Sequence, residues 1–502
     1  MRPLLDALLV ALLYVAANRF PLASGRGYPE MLAAFLLPVA IFALLGRGRR
    51  LGWIYLGLLA GTVGGFHWVP EVMHSKAPMP YPAALGVALL FFAYETLGLT
   101  AVAALGRWAA ARRPLAGAFA AAFGLVLWQA HGFHIYDFSF GAPLGAVPWT
   151  ARSAAFLGTH GLAALLWGFG AWTGLAVARR ATLPRTAAAP ALLVALLAVL
   201  GGAWYLLPRA PQRDLDVVMI QPNYPAGVRF PTMEPGNWAR TDAELRRAAL
   251  PRPAFATLVL WPESSVLGRD DLAPSPRLAL EAQRRGIAWL YGTEGGRFNL
   301  LRGEVAGRPP FLQAKVIPMP FGEAMPGPPP VRDWLDRQLG FFSEEAGTLT
   351  AHSSFQIPTP QGPLVIHPLL CSEALLETRT SQGLALAGGE LLTNHTNDGW
   401  FDRSIATDLH AVQIRLRAVE LGIPLLRATL TGKSGIFHED GSWVLWGGPM
   451  TEASHSFHLT WRPVLTPARY PHMVTLVLVF LALGLLFSLR ARSITKLNRH
   501  RV

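Results

Sequence analysis

Three residues that could perform chemistry each follow an apolar run typical of a buried strand. Cys371, the only cysteine in 502 residues, ends the run GPLVIHPLLC, while Glu263 follows FATLVLWP and Lys315 follows FLQA. A thiol reacts as the thiolate, so it needs a base or a positive neighbour. A carboxylate whose pKa is raised by burial can be that base, and a lysine can stabilise a developing oxyanion. If the three strand ends meet, they form an acyl-transfer site.

Each of these residues also has a plainer interpretation. A lone cysteine is usually a small buried apolar residue rather than a nucleophile. Glu263 could cap a helix, and the stem of Lys315 could extend along the surface. The spacing of the three residues leaves both interpretations open.

The histidines do not predict a metal site. His367, His395 and His410 are not at a metal-ligand spacing, so we interpret each as structural and expect neither a metal nor a cofactor. A single cysteine also excludes an intramolecular disulfide and a cysteine-based zinc site.

The segment 212–465, which holds all three residues, alternates between strand and helix patterns. Apolar runs predict strands within 214–221, 255–265, 284–296, 309–320, 362–371, 389–398 and 423–432. Helical patterns lie at 237–250, 273–285, 373–385 and 405–421, the last ending at Gly422. This alternation indicates an α/β domain with buried sheets, whose chemistry lies in the loops after the strands. Those loops carry Glu263, Lys315 with Glu323, Cys371 with Glu373, and Asn397 with Asp398.

The rest of the chain has the composition of a membrane protein. The sequence is 52% hydrophobic and 15% charged, whereas soluble proteins have about 25% charged residues. Its net charge of +13 comes with arginine clusters beside apolar segments. Such clusters set membrane topology more often than they bind nucleic acid, so we expect no nucleic-acid partner.

Apolar runs predict eight membrane spans. Seven lie in a transmembrane domain, 1–207, at about 3–18, 31–46, 52–69, 83–106, 115–132, 153–178 and 187–207, and the eighth is 472–489. No A-x-A cleavage site follows the first run, so we interpret it as a retained anchor rather than a signal peptide. Aromatic residues near the span ends, including Trp128 and 131–140, fit an interfacial belt, and some could line a lipid entry cleft.

Basic residues alternate between the two sides of these spans. One side carries Arg2, Arg47, Arg49, Arg50, Arg107, Arg112, Arg113, Arg179, Arg180, Arg185, Arg490, Arg492, Lys496, Arg499 and Arg501, and the other carries Arg19, Arg26, Lys76 and Arg152. Positive charge marks the cytoplasmic side. Both termini, including the basic tail 490–502, are therefore predicted to be cytoplasmic, with 212–465 outside.

Four motifs of the large domain occur in a distinctive order. They are LWPESS (260–265), KVIPMPFGEAMP (315–326), LLCSE (369–373), and TNDGWFDRS (396–404) followed by RLRAVELGIPLLRAT (415–429). Together they resemble the carbon–nitrogen hydrolase (nitrilase) superfamily and, within it, the family of bacterial apolipoprotein N-acyltransferases. That family is similar in layout as well, with several N-terminal spans, an external domain and one C-terminal span.

The resemblance implies a fold, a location and a reaction. The fold would be a multi-span helical domain joined to a nitrilase-like α-β-β-α sandwich in the bacterial inner membrane, with the sandwich on the periplasmic side. Glu263 would be the general base, Lys315 the oxyanion stabiliser and Cys371 the nucleophile, supported by Glu323, Ser372 and Glu373. A phospholipid would donate an acyl chain through a Cys371 thioester to the amine of an S-diacylglyceryl-cysteine apolipoprotein. We expect a monomer.

Some residues depart from the family pattern. Ser372 stands where the family usually has tyrosine, Asp402-Arg403 changes its WFGxS run, Ile423-Pro424 replaces Arg-Pro, and 298–300 reads Phe-Asn-Leu instead of Tyr-Asn-Ser. An amidase or lipid hydrolase on the same scaffold, a divergent paralogue with a changed acceptor, and a non-catalytic membrane scaffold remain alternatives.

Overall fold

The chain forms two compact units in the computed structural model. The structure describes residues 2–18, 28–76, 79–134, 138–224, 233–266, 276–295, 298–319, 323, 330, 332–334, 337 and 353–490. The helical unit comprises 1–74, 80–206 and 472–502, and the sheet unit comprises 75–79 and 207–471.

The helical unit is built from long apolar helices. Its helices are α1 (Arg2–Ala17), α2 (Tyr28–Gly46), α3 (Leu51–Gly65), α4 (Val69–Lys76, which continues into the sheet unit), α5 (Tyr81–Ala110), α6 (Pro114–His131), α7 (Pro148–Ala151), α8 (Ala154–Ala178), α9 (Leu183–Ala203) and, at the end of the chain, α14 (Met473–Arg490). Small residues let these helices approach closely. At Gly174 of α8, for example, a Cβ atom would lie 2.4 Å from the backbone oxygen of Val39 in α2.

A helix lies at each of the eight predicted spans, but their lengths differ. Within the described residues, six helices are long and apolar enough to cross a membrane: those beginning at Tyr28, Tyr81, Pro114, Ala154, Leu183 and Met473. The other two, α1 and α3, have 16 and 15 residues. At 1.5 Å per residue they reach about 23 Å, short of the ~30 Å hydrocarbon core. The count of eight spans therefore stays a prediction.

The sheet unit contains two six-stranded sheets. Its strands are β1 (Arg213–Gln221), β2 (Thr257–Leu260), β3 (Ala288–Gly295), β4 (Phe298–Glu304), β5 (Phe311–Ala314), β6 (Phe355–Ile357), β7 (Leu364–Leu370), β8 (Leu391–Thr396), β9 (Leu425–Thr429), β10 (Gly435–Phe437), β11 (Trp443–Leu445) and β12 (Ala453–Trp461). The orders are β12-β1-β2-β3-β4-β5 and β11-β10-β9-β8-β7-β6. The central strands β1, β2 and β3 run parallel, as do β7, β8 and β9.

The two sheets pack face to face, with helices outside. One apolar core joins residues of both sheets, such as Leu258 of β2 and Ile366 of β7. Helices α10 (Met233–Arg247) and α11 (Pro276–Arg285) bury Trp238 and Leu278 against the outer face of the first sheet. Helices α12 (Glu377–Ala387) and α13 (Ala406–Leu421) contact the second sheet. The layers are thus helix, sheet, sheet and helix.

The sequence pattern located most of these elements, with some differences. Helix α13 ends at Leu421, and the next residue, Gly422, adopts the left-handed conformation (φ 67°) that suits glycine. The predicted helix 373–385 is instead a 3₁₀ turn, Cys371–Leu375, followed by α12. The short strands β6, β10 and β11, the internal strand β4 and the edge strand β12 were not predicted. Their apolar runs are too short or too polar to stand out.

Candidate active site

Glu263 lies just after β2, where the chain leaves the first sheet. Its side chain is buried, with 3% of the residue exposed. One carboxylate oxygen accepts a hydrogen bond from the backbone N–H of Asn397 (2.7 Å), and the other accepts one from the side-chain amide of Asn299 (2.6 Å). The backbone of β3 also approaches closely, since a Cβ atom at Gly292 would lie 2.4 Å from Glu263 Cα. These contacts fix the carboxylate in one position.

Lys315 directly follows β5 and lies between two carboxylates. Its Nζ is 2.5 Å from Oε1 of Glu323 and 3.8 Å from Oε1 of Glu263. The backbone N–H of Lys315 donates to the carbonyl oxygen of Asn299 (2.8 Å), and Glu323 accepts a further bond from the backbone N–H of Met319 (2.7 Å). The ammonium group is therefore buried but paired.

Cys371 directly follows β7 and begins the 3₁₀ turn. It has a positive φ of 48°, an uncommon conformation for a residue with a side chain, and is 8% exposed. Its Sγ accepts a hydrogen bond from the Thr396 hydroxyl (3.3 Å), and its carbonyl oxygen accepts one from the side-chain amide of Asn394 (3.0 Å). Two residues of β8 thus hold the cysteine at its sulfur and at its backbone.

The buried charges act on one another. Burial, and secondarily Glu323, raise the pKa of Glu263, although Lys315 opposes this. Burial, together with Glu263, raises the pKa of the Cys371 thiol to about 12, while Lys315 lowers it. For Lys315, burial opposes the charge, but Glu323, Cys371 and Glu263 outweigh it and raise the pKa. The thiol is thus protonated at neutral pH, beside a carboxylate of increased basicity and a permanent cation.

Glu373 links the segment after Lys315 to the strand before Cys371. Its Oε1 accepts hydrogen bonds from the backbone N–H groups of Val316 (2.6 Å) and Ile317 (3.2 Å), and its Oε2 accepts one from Leu370 (2.9 Å). Burial raises the pKa of Glu373 to about 7. Ser372 is half-buried between Cys371 and Glu373 in the same turn.

A buried ion pair supports the loop after β8. Arg427 of β9 donates to both oxygens of Asp398 (2.9 and 2.7 Å), and His410 of α13 contacts the same carboxylate (3.0 Å). Burial would raise the pKa of Asp398, but the Arg427 charge outweighs it and lowers that pKa. The pair anchors the residue next to Asn397, whose N–H holds Glu263.

The structure therefore brings together Glu263, Lys315, Glu323, Cys371 and Glu373. The sequence did not single out Asn299, Thr396 or Asn394. Asn299 lies in the run 298–300, and Thr396 begins the TNDGWFDRS motif. The spacing of motifs along the chain does not show which side chains of neighbouring strands contact the site. Two of the three histidines that we interpreted as structural have hydrogen-bond partners in the structure. His395 bonds to the Trp261 carbonyl oxygen (2.7 Å) and His410 to Asp398.

This geometry suits acyl transfer. A proton can pass from the thiol to Glu263 without a net change of charge in the buried site, because the negative charge moves from carboxylate to sulfur. The Lys315 ammonium, held by two carboxylates, can balance an oxyanion formed on an attacked carbonyl group. Such a site has the nucleophile, base and cation that thioester chemistry requires.

Comparisons with known proteins agree with the motifs. Residues 336–452, which include Cys371 and Glu373, match the family model of carbon-nitrogen hydrolase. A curated apolipoprotein N-acyltransferase of Azotobacter vinelandii is 29% identical over 474 residues, covering 84% of this chain and 85% of the relative. The protein of that name from Allorhizobium ampelinum is 28% identical over 435 residues (79% and 77%), and that from Bdellovibrio bacteriovorus is 25% identical over 441 residues (80% and 78%). The resemblance predicted from four short motifs is therefore confirmed: this chain is similar to apolipoprotein N-acyltransferases along most of its length and carries a carbon–nitrogen hydrolase segment in its sheet unit.

Proposed function

We propose that this protein transfers an acyl chain from a membrane phospholipid to the N-terminal amine of an S-diacylglyceryl-cysteine apolipoprotein. The observation that carries the proposal is the convergence of Glu263, Lys315 and Cys371 from three strand ends in one buried site. The names of the relatives support the acyltransferase class, and the apolar helices support a place in a bacterial membrane. The asymmetry of basic residues supports a sheet unit on the periplasmic side with both termini in the cytoplasm.

The first half-reaction forms the acyl-enzyme. Glu263 takes the proton of the Cys371 thiol as the sulfur attacks the ester carbonyl carbon of the phospholipid. Lys315 stabilises the oxyanion of the tetrahedral intermediate. When the intermediate collapses, Glu263 returns the proton to the departing alkoxide, and a lysophospholipid leaves the thioester on Cys371.

In the second half-reaction the sulfur of Cys371 is the leaving group rather than the nucleophile. The neutral amine of the acceptor attacks the thioester carbonyl carbon, and Lys315 again stabilises the oxyanion. Glu263 takes a proton from the attacking nitrogen and gives it to the departing sulfur, which restores the Cys371 thiol and leaves an amide. Water must be kept from the thioester, and the burial of Cys371 supports this.

The test is direct detection of the acyl-enzyme. The full-length protein is incubated with a phospholipid of defined acyl chains, and its intact mass is measured before and after hydroxylamine treatment. We expect a mass increase of one acyl chain on Cys371 that hydroxylamine removes, and its loss in Cys371→Ala. A diacylglyceryl-cysteine lipopeptide should then remove the acyl chain and become N-acylated.

The alternatives give different results in the same experiment. A hydrolase would release free fatty acid at the same rate with and without the lipopeptide. A non-catalytic scaffold would never gain the acyl mass, and Cys371→Ala would then complement a null strain fully. Either outcome would overturn the proposal.

A further inference from the structure

Asn299 carries a buried polar atom that the described residues leave without a partner. The residue lies on β4 and is 6% exposed. Its Nδ2 donates to Oε1 of Glu263 (2.6 Å) and to Oε1 of Glu323 (3.2 Å). Its Oδ1 is buried and accepts no hydrogen bond from any residue that the structure describes. A buried acceptor without a donor is unfavourable, so its place in the active site requires an explanation.

The neighbours of Asn299 determine which way its amide is turned. A side-chain amide has two orientations of nearly the same shape, but only its NH₂ group can donate hydrogen bonds. If the amide were turned, its oxygen would lie against the carboxylate oxygens of Glu263 and Glu323, which have no proton to donate when ionised. The backbone of Asn299 is held as well, because its carbonyl oxygen accepts the N–H of Lys315 (2.8 Å). Oδ1 is therefore the amide atom directed away from the two carboxylates.

A substrate nitrogen atom can contact Asn299 and Glu263 at the same time. Oδ1 and Nδ2 of the amide share one carbon atom, and Nδ2 is 2.6 Å from Oε1 of Glu263. One nitrogen atom can therefore reach both oxygens at a hydrogen-bond distance of about 3 Å. By the proposed mechanism Glu263 takes a proton from the amine that attacks the thioester, so this amine lies at the carboxylate. Its second N–H group is then within reach of Oδ1.

We propose that Oδ1 of Asn299 binds the second N–H group of the acceptor amine and so selects a primary amine as the acyl acceptor. With one N–H group held by Glu263 and the other by Asn299, the nitrogen lone pair has a single direction, which favours attack. The C–N bond forms, the C–S bond to Cys371 breaks, and the proton taken by Glu263 passes to the sulfur. The proton at Asn299 stays on nitrogen as the N–H group of the new amide.

The number of protons on the nucleophile decides which acceptors this arrangement favours. A secondary amine has one N–H group for Glu263 and none for Asn299, and the hydroxyl group of a lysophospholipid also has a single proton. A site that binds an N–H group rejects a nucleophile without it, because the buried oxygen stays unpaired. Asn299 should thus favour transfer to the lipopeptide over return of the acyl chain to the lysophospholipid. Water has two protons, so its exclusion depends on the burial of the thioester.

This inference rests on the proposed function, because it concerns the second half-reaction. The full-length protein in detergent is first acylated with phospholipid, and its intact mass confirms the acyl-enzyme. It is then mixed with a diacylglyceryl-cysteine lipopeptide whose α-amine is either primary or N-methylated, and the loss of the acyl mass gives each rate. We expect the ratio of the two rates, primary over N-methylated, to fall about tenfold from wild type to Asn299→Leu, the factor that corresponds to one hydrogen bond. Any effect of the substitution on Glu263 applies to both acceptors and cancels in the ratio.

Two further variants make the test specific. Asn299→Ala, which only removes atoms, should give the same fall and replaces Asn299→Leu if that variant does not fold. Asn237→Leu is the matched control. Asn237 is fully buried, and its Oδ1 also has no partner among the described residues, but its Nδ2 donates to the Ser265 carbonyl oxygen (3.3 Å) and not to a carboxylate. The control should keep the wild-type ratio even if it is less stable.

The possible results separate this inference from the proposed function. An unchanged ratio in the Asn299 variants, or an equal fall in Asn237→Leu, would overturn the role of Asn299 and leave acyl transfer intact. If the wild-type protein forms no acyl-enzyme, the proposed function and this inference are both wrong.

Discussion

Glu323 is the nearest anchor of the Lys315 ammonium, at 2.5 Å from its Nζ, whereas Glu263 is 3.8 Å away. The lysine therefore holds its place chiefly through a carboxylate other than the proposed base. Burial raises the pKa of Glu263, and Lys315 at its longer distance does not cancel that rise, which suits the role of a general base.

Glu323→Gln should make Glu263 a weaker base. The Glu323 charge raises the pKa of Glu263, so its removal should move the acid limb of the pH–acylation profile to lower pH. The plateau rate should also fall, by up to about a hundredfold, because Lys315 loses its anchor. Single-turnover acylation measured across pH checks both effects. Glu452→Gln, at an exposed pair with Arg240, is the control, and an unchanged acid limb in Glu323→Gln would contradict the prediction.

Asn299→Leu should shift the same limb in the opposite direction. The Asn299 amide donates to Glu263 (2.6 Å) and lowers its pKa. A leucine of similar size removes the donor, so Glu263 should hold its proton to higher pH and acylation should begin at higher pH. The same single-turnover profile is the measurement. A shift to lower pH would mean that Asn299 does not stabilise the ionised carboxylate.

Thr396 should assist formation of the Cys371 thiolate. Its hydroxyl lies 3.3 Å from Sγ and 3.4 Å from Oδ1 of Asp398, and its single proton should favour the sulfur when negative charge appears there. Thr396→Val should raise the pKa of Cys371 and slow its alkylation by iodoacetamide by about tenfold. Thr396→Ser keeps the hydroxyl and should react like the wild type. Equal alkylation rates in the valine and serine variants would show that the hydroxyl has no such role.

Glu373 should make the protein less stable as pH rises. Because its pKa in the folded state is raised to about 7, its contribution to stability is complete below the unfolded value near 4.5 and is lost as pH rises through 7. The loss amounts to about 3 kcal/mol. The melting temperature of the full chain in detergent should therefore fall between pH 5 and pH 8, and less so in Glu373→Gln. Glu452→Gln is the control and should behave like the wild type. If the melting temperature of Glu373→Gln falls as much as that of these two proteins, another group is responsible.

The sequence singled out the three proposed catalytic residues but not the side chains that contact them. Glu263, Lys315 and Cys371 each end an apolar run, and runs of that kind are readable along one segment. Asn299 and Thr396 act across strands, from β4 and β8, and a contact between strands depends on register and sheet order. The six long apolar helices could be predicted from composition. The segments at α1 and α3 are also apolar, but their helices are shorter than the predicted spans require, because apolar composition does not fix helix length. The pairing of an edge strand, such as β12 beside β1, depends on tertiary contacts that no local sequence pattern shows.

The sheet order has a consequence for the folding chain. Glu263 and Lys315 come from the first sheet, through β2 and β5, whereas Cys371 comes from the second, through β7. A nascent or damaged protein with only one sheet formed would hold either a base without a nucleophile or a nucleophile without a base. By the proposed mechanism, the reactivity of Cys371 therefore arises only when the two sheets have packed against each other, so that folding itself prevents premature reaction of the thiol.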